Sequence, residues 1–159
     1  MVSHRTVRGP DEMLALGEAF GRLLRGGDVL LLSGPLGAGK TQFVKGLARG
    51  LGIQGIVNSP TFTLMKPYTG RVTLHHVDLY RLSGEAECQE IGLDDLMAPD
   101  TVLALEWPER FPRFGAESGI QLDIAFGDDP AHREVTIWSQ LPRNQTLISQ
   151  ALDGFGQAH

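Results

Sequence analysis

The sequence predicts an α/β fold in which helices pack on a mixed, mainly parallel sheet. Two continuous apolar runs, residues 29–32 (VLLL) and 102–105 (VLAL), are typical of strands buried on both faces. Apolar residues recur at helical spacing over residues 11–25, just before the first run. Residues 120–126 and 135–137 alternate apolar and polar side chains, which predicts an antiparallel C-terminal strand pair with one exposed face.

Helices are predicted on both sides of the first apolar run. Pro10 suits the start of the helix over residues 11–25. A second helix follows the glycine-rich stretch after residue 32 and ends at Gly50 or Gly52. Its apolar stripe consists of Phe43, Leu47 and Leu51. A glycine-rich turn between a buried strand and a helix is the setting of a phosphate-binding loop.

The remaining elements are predicted from shorter signals. Residues 61–66 and 72–77 have strand character and flank a turn predicted at residues 67–70 (PYTG). Residues 83–91 predict a short helix, and residues 144–155 a terminal helix or a loose tail. Without a repeat or an interdomain linker, residues 1–159 are interpreted as a single domain.

Composition narrows the class of protein. The chain has 159 residues, a net charge of −5 and 42% hydrophobic residues, which indicates a globular protein without broad affinity of its own for nucleic acid. Cys88 is the only cysteine, so neither an internal disulfide nor a cysteine-based zinc cluster is predicted. The first residues lack the apolar core of a signal peptide, and the apolar runs are too short to cross a bilayer. We therefore expect a cytoplasmic protein.

The residues that predict chemistry begin with the pattern G-x-x-x-x-G-K-[ST], filled by Gly34, Gly39, Lys40 and Thr41. Glycines let the backbone turn its N–H groups toward oxygens, and the N-terminus of the following helix favours an anion. Lys40 is expected to reach the β- and γ-phosphates, and the Thr41 hydroxyl to bind Mg²⁺. The motif predicts a three-layer fold similar to that of P-loop NTPases.

Two carboxylates are candidates to complete a magnesium site. Asp78 and Glu106 each follow an apolar stretch expected to run beside the phosphate-loop strand. The alternative interpretation is a structural cap or a surface salt bridge. Thr61, in SPTFTL, could order around the γ-phosphate in a switch-like loop, although Ser-Pro-Thr is also an ordinary loop sequence.

The neighbouring pair His75-His76 is predicted to be structural. Adjacent residues of a strand face opposite sides, so both imidazoles cannot easily enter one metal site. We expect a packed or hydrogen-bonded histidine here.

Four stretches in a fixed order, GPLGAGKT, SPTFTL, HHVDLYRL and LEWPER, resemble the TsaE family, the bacterial ATPase of tRNA threonylcarbamoyladenosine biosynthesis. The resemblance spans roughly residues 10–140. It implies a small P-loop fold and weak ATP hydrolysis that partners stimulate. Those partners are TsaD and TsaB, which transfer a threonylcarbamoyl group to adenosine 37 of certain tRNAs. Contact with tRNA would pass through that complex.

The resemblance also implies roles for individual residues. ATP phosphates would be held by Gly37, Ala38, Gly39, Lys40, Thr41 and Gln42. Mg²⁺ would be ligated by Thr41 and Glu106. Lys40, Asp78 and Thr61 would support hydrolysis. Arg133 would approach the base, and Trp107 would lie next to the surface shared by nucleotide and partner.

The chain departs from the family pattern at two places. Pro35 stands where the family usually has an aspartate, and Met13 where many members have a threonine. Generic phosphate loops accept proline at that position, so phosphate binding is still expected. The absent aspartate affects any contact that it makes with partners. The absent threonine affects a hydroxyl contact from the first helix to the nucleotide.

Two other functions are compatible with a phosphate loop. A small-molecule kinase would need an acceptor pocket and an arginine-rich lid, for which only PERFPRF is available. A nucleotide-sensing module that does not hydrolyse would not need the carboxylates. A GTPase is disfavoured, because the chain has neither N-K-x-D nor a DxxG glycine after Asp78.

Overall fold

A seven-stranded sheet carries the fold in the computed structural model, which describes residues 2–55, 57, 65–80, 82, 86–87, 92–112 and 114–158. The strands are β1 Val2–Val7, β2 Val29–Ser33, β3 Met65–Thr69, β4 Thr73–Asp78, β5 Thr101–Glu106, β6 Ile120–Phe126 and β7 Arg133–Trp138. The helices are α1 Pro10–Leu23, α2 Lys40–Gly50 and α3 Pro142–Ala158, with short 3-10 helices at Leu93–Leu96 and Pro108–Arg110.

The strand order is β1-β7-β6-β2-β5-β4-β3. The four central strands, β6, β2, β5 and β4, run parallel, and the outer strands pair antiparallel. This confirms the predicted mixed, mainly parallel sheet and the antiparallel pair formed by β6 and β7. In the register, Glu106 lies opposite both Leu32 of β2 and Asp78 of β4. The carboxyl ends of three parallel strands therefore meet at one edge.

The two faces of the sheet are covered differently. The three α-helices of the described residues pack on one face, around Leu30, Leu74 and Ile124. The opposite face packs against chain segments that include the two 3-10 helices, around Leu31, Leu103 and Leu105. Buried leucines of β2 alternate between the two faces, which explains why residues 29–32 are all apolar.

Some element boundaries differ from those predicted. Strand β1 was not predicted, and its exposed, polar sequence explains why. The turn predicted at residues 67–70 is wrong in part, because Pro67 lies within β3 and the chain turns at residues 70–72. Proline is tolerated there since β3 is an edge strand. The terminal helix is confirmed as α3. The predicted short helix at residues 83–91 and the start of the strand at residue 61 lie largely outside the described residues.

A backbone contact between α1 and α2 fixes these helices against each other. A Cβ added at Gly17 would lie 2.1 Å from the carbonyl oxygen of Phe43, and one at Gly46 would lie 2.0 Å from that of Leu14. At Gly21 and Gly50, one turn further along each helix, an added Cβ would lie 2.2 Å and 2.5 Å from a carbonyl oxygen of the opposite helix. The four glycines let the helix axes approach to a distance that no side chain permits.

We expect Gly46→Ala to destabilise the protein, because its Cβ would collide with backbone that cannot rotate away. Overpacking of a tight contact typically costs about 1–3 kcal/mol. Gly154→Ala is the matched control, since Gly154 lies in α3 with nothing within 4 Å of an added Cβ. Helix propensity predicts that this control gains about 0.5–1 kcal/mol. Urea unfolding measures both, and equal effects of the two substitutions would contradict the close contact.

Candidate functional site

The glycine-rich loop connects β2 to α2 and is shaped by left-handed backbone conformations. Gly37 and Gly39 have φ angles of 80° and 111°, a region that side-chain-bearing residues rarely adopt. Gly39 is the N-cap residue, and the first helical bond runs from the N–H of Phe43 to its carbonyl. The N–H groups of the first turn have no partner within the helix. Residues 37–42 therefore form a concave arrangement suited to an anion.

Lys40 lies at the base of this loop and is only 4% exposed. Its Nζ donates to the carbonyl oxygen of Gly34 at 2.6 Å and lies 3.8 Å from the centroid of a Trp107 ring. Burial lowers the pKa of the Lys40 ammonium, and nearby carboxylates, Glu106 first, oppose that shift. A positive charge is thus held, largely out of water, where the motif predicts phosphate.

The two candidate carboxylates face the same cavity as Lys40. This cavity has a volume of about 250 Å³ and is lined by Leu36, Gly37, Gly39, Lys40, Thr41, Gln42, Asp78, Glu106 and Trp107. Strand β5, which ends in Glu106, lies beside β2 as expected. Strand β4, which ends in Asp78, lies one strand further away, since β5 separates it from β2. Both carboxylates nevertheless reach the cavity.

The donor set at this cavity fits Mg²⁺. Thr41 offers a hydroxyl and Glu106 a carboxylate, and such hard oxygen ligands are what this ion prefers. In the described ranges no group of three or more His, Cys, Asp and Glu side chains is arranged to hold a metal. Mg²⁺ usually takes one or two protein ligands and completes its shell with phosphates and water.

Asp78 is a carboxyl of increased basicity at the cavity. Burial raises the pKa of its carboxyl, and the nearby Glu106 charge adds to the increase. The backbone N–H of Tyr80 donates to Asp78 Oδ1 at 2.9 Å and lowers the pKa in part. A carboxylate of this kind is held in place by the backbone and is suited to accept a proton.

His76 is hydrogen-bonded, as the sequence predicts for this histidine pair. Its Nε2 lies 2.5 Å from Oε2 of Glu106, and both side chains are buried. Its neighbour His75 is half-buried on the opposite face of β4. Sequence analysis did not identify Glu106 as the partner, because that contact depends on the register between β4 and β5.

A second cavity, of about 430 Å³, adjoins the other side of the loop. It is lined by Gly9, Pro10, Met13, Gly37, Ala38, Gly39, Gln42, Pro130, Ala131 and Arg133. The start of α1 and the turn between β6 and β7 close its sides. Sequence analysis missed Gly9, Pro10, Pro130 and Ala131. The predicted antiparallel strand pair implies a turn between β6 and β7, but not its proximity to the loop.

Arg133 connects that turn to the phosphate loop. Its Nε donates to the carbonyl of Ala38 at 3.1 Å, and a terminal nitrogen donates to that of Pro130 at 2.7 Å. The guanidinium also lies over the ring of Phe126, 4.9 Å from its centroid. Arg133 therefore lines the second cavity while bonding the backbone of the loop. Its contact with a base is a prediction.

An apolar rim borders the first cavity. Leu36 is 64% exposed at the loop, and Tyr80 is 43% exposed and packs on Trp107 with ring centroids 4.8 Å apart. Trp107 has a φ of 61°, the only positive φ among described residues other than glycine. This conformation places the indole over Lys40. Thr61, the remaining predicted site residue, lies outside the described residues.

The model of the family described as "Threonylcarbamoyl adenosine biosynthesis protein TsaE" matches residues 7–135. The chain belongs to the TsaE family. The "tRNA threonylcarbamoyladenosine biosynthesis protein TsaE" of Bacillus subtilis is 43% identical over 148 residues, which cover 92% of this chain and 90% of that protein. Its counterpart in Treponema pallidum is 42% identical over 130 residues, covering 82% and 96%.

A solved structure supports the TsaE assignment at the level of the fold. The crystal structure of Bacillus subtilis YdiB matches with a TM-score of 0.82 and 32% identity, over 96% of this chain and 95% of that one. The resemblance predicted from the four motifs is therefore confirmed. In the part of the TsaE chain that the structure describes, no helix has the length and apolarity needed to cross a bilayer.

We expect Asp78→Asn to raise the melting temperature at pH 7. The raised pKa means that the folded state binds this proton more tightly than the unfolded chain, so the ionised carboxylate opposes folding. That cost is absent below the ordinary Asp value of 3.8, begins as pH rises past it, and is complete above the folded pKa. The gain should therefore shrink on acidification. Thermal scans between pH 3.5 and 8 measure it, with Asp153→Asn on α3 as an exposed control.

We expect Arg133→Lys to weaken binding of tripolyphosphate, because lysine lacks the fork that bonds the carbonyls of the loop. Loss of one or two hydrogen bonds near 1 kcal/mol each predicts a decrease of about 5–30-fold. Titration calorimetry measures the affinity, with Arg22→Lys at the surface of α1 as control. If only nucleotides and not tripolyphosphate bind more weakly, Arg133 acts on the base rather than through the loop.

Proposed function

We propose that this TsaE protein is a Mg²⁺-dependent ATPase of low intrinsic activity that acts in threonylcarbamoylation of adenosine 37 in tRNA. The observation that carries the proposal is the convergence of Lys40, Asp78 and Glu106 on the cavity at the phosphate loop. A binding module that only senses nucleotide has no need of a basic carboxylate next to the expected γ-phosphate. Membership of the TsaE family supports a role in tRNA threonylcarbamoyladenosine biosynthesis.

ATP would span the two adjoining cavities, which share Gly37, Gly39 and Gln42. The N–H groups of residues 37–42 and the Lys40 ammonium would hold the phosphates. The larger cavity beside Met13 and Arg133 would take the base and ribose. Thr41 and Glu106 would hold Mg²⁺, which supplies charge neutralisation of the phosphate oxygens.

Hydrolysis would use groups that already face the expected γ-phosphate. A water oxygen attacks the γ-phosphorus, the bond to the bridging oxygen breaks, and ADP and inorganic phosphate leave. Lys40 and the loop amides stabilise charge on the transferring group. Asp78 orients the water and takes its proton, a task that its raised pKa favours. Thr61 is assigned by the resemblance to the switch-like loop, where its hydroxyl would help position the water.

Low intrinsic activity follows from what the cavity contains. Among the described residues that line it there is no arginine to stabilise the transition state. Arg133, across the loop, donates to backbone carbonyls instead. We propose that TsaD and TsaB complete the site, and that the apolar rim of Leu36, Tyr80 and Trp107 faces them. With a charge of −5, the chain would act on tRNA only through that complex.

The decisive assay compares ATP hydrolysis by the purified chain with and without TsaD and TsaB. We expect slow release of inorganic phosphate alone and a clear increase with both partners. Phosphate transferred to a metabolite, without stimulation by the pair, would instead support a small-molecule kinase. The readout is therefore the identity of the phosphate acceptor together with the rate.

We expect Lys40→Ala to lower stimulated hydrolysis by about 10²–10³-fold, since it removes a preorganised cation from the transferring group. Glu106→Ala should lose hydrolysis and bind nucleotide more weakly when Mg²⁺ is present. Lys66→Ala, on the outer strand β3, is the matched control and should hydrolyse at the wild-type rate. Normal hydrolysis by Glu106→Ala would refute the metal assignment.

A further inference from the structure

Among the described residues, His76 has one hydrogen-bond partner, and that partner is a proposed metal ligand. Its side chain is 0% exposed, Glu106 is 4% exposed, and Nε2 and Oε2 are 2.5 Å apart. At this distance a proton lies between the two atoms, so the imidazole N–H donates to the Glu106 carboxylate. The inference below rests on the proposed function, in which Glu106 binds Mg²⁺.

The sheet neighbours of His76 below the cavity are apolar. On β4 it lies opposite Ala104 and shares a sheet face with Leu74, and both of these residues are fully buried in the core beneath the helices. Its Nδ1 is buried and has no hydrogen-bond partner in the described part of the chain. An unsatisfied buried nitrogen is costly, and an aliphatic side chain would avoid that cost. The imidazole therefore weakens the packing here, and its hydrogen bond acts on Glu106.

The contact determines where Glu106 can point. A glutamate at a strand end has three side-chain torsions and would otherwise sample several directions. With Oε2 bonded to His76, the carboxylate is held at the cavity wall and its other oxygen is left for a ligand. Lys40 directs its ammonium to Gly34 and Trp107. A freed Glu106 carboxylate would be attracted across the cavity to that ammonium and would leave the metal position.

We infer that His76 is a positioning residue that holds the Glu106 carboxylate in the orientation required for Mg²⁺ and apart from Lys40. His76 touches neither nucleotide nor metal. Its effect is confined to the part of nucleotide affinity that depends on Mg²⁺, because the phosphate loop itself lies on other elements. Partners that orient a ligating carboxylate typically change metal affinity by about 10–100-fold when they are removed.

The test measures affinity for a non-hydrolysable ATP analogue by calorimetry, in EDTA and over a range of Mg²⁺ concentrations. We expect His76→Leu to bind like wild type in EDTA but to need about 10–100-fold more Mg²⁺ for the full increase in affinity. His76→Gln carries an N–H donor at a similar reach and should restore much of the Mg²⁺ response. His75→Leu, the neighbour on the opposite face, is the matched control and should respond as wild type.

Each outcome decides between the two proposals. An unchanged Mg²⁺ response in His76→Leu, with a normal response in wild type, overturns the positioning role and leaves the proposed function intact. Weaker binding in EDTA as well would show a general structural effect and also overturn it. If His76→Leu fails to fold, His76→Gln and His76→Asn decide instead. The side chain of His76→Asn has a shorter reach, so its Mg²⁺ response should be weaker than that of His76→Gln. A response within threefold of wild type from both variants would overturn the positioning role too. No Mg²⁺-dependent binding by wild type would refute the proposed function itself.

Discussion

The parallel pairing of β5 between β2 and β4 is the constraint on which the site depends. In this register Glu106 lies beside both Leu32, just before the phosphate loop, and Asp78. Parallel strands end at the same edge, so the glycine-rich loop and two carboxylates far apart in sequence meet there. The apolar residues of β5 are buried along its whole length, which fixes this register by packing on both faces.

The sequence predicts the elements whose signals are local. The two apolar runs, the glycine-rich motif and the alternating C-terminal strands each carry their own pattern, and all were found. Strand β1 was missed because an exposed edge strand has little apolar alternation. The hydrogen bond from His76 to Glu106 and the approach of Pro130 to the loop depend on register and on long-range packing. A single sequence does not display either of those.

The electrostatics of the site balance opposite charges in a region with little water. Lys40 is buried among carboxylates, and the face of an aromatic ring lies against its ammonium. Burial acts against the charged form of both Lys40 and Asp78. Without a ligand, the folded protein therefore holds these groups in an environment that disfavours their charged forms. Binding of a polyanion together with its cation would lower that free-energy cost, so ligand binding would stabilise the folded protein.

The glycine contact between α1 and α2 has a consequence for the ligand. The start of α2 forms the phosphate loop, while the start of α1 borders the larger cavity, and Gln42 bonds the carbonyl of Pro10 between them. Because backbone meets backbone at Gly17 and Gly46, neither helix can slide without a clash. The two helix ends are therefore held at a fixed separation. A ligand between them would have to match their separation, and the lining residues outside these helices and the loop, Pro130, Ala131 and Arg133, belong to the β6–β7 turn and the start of β7.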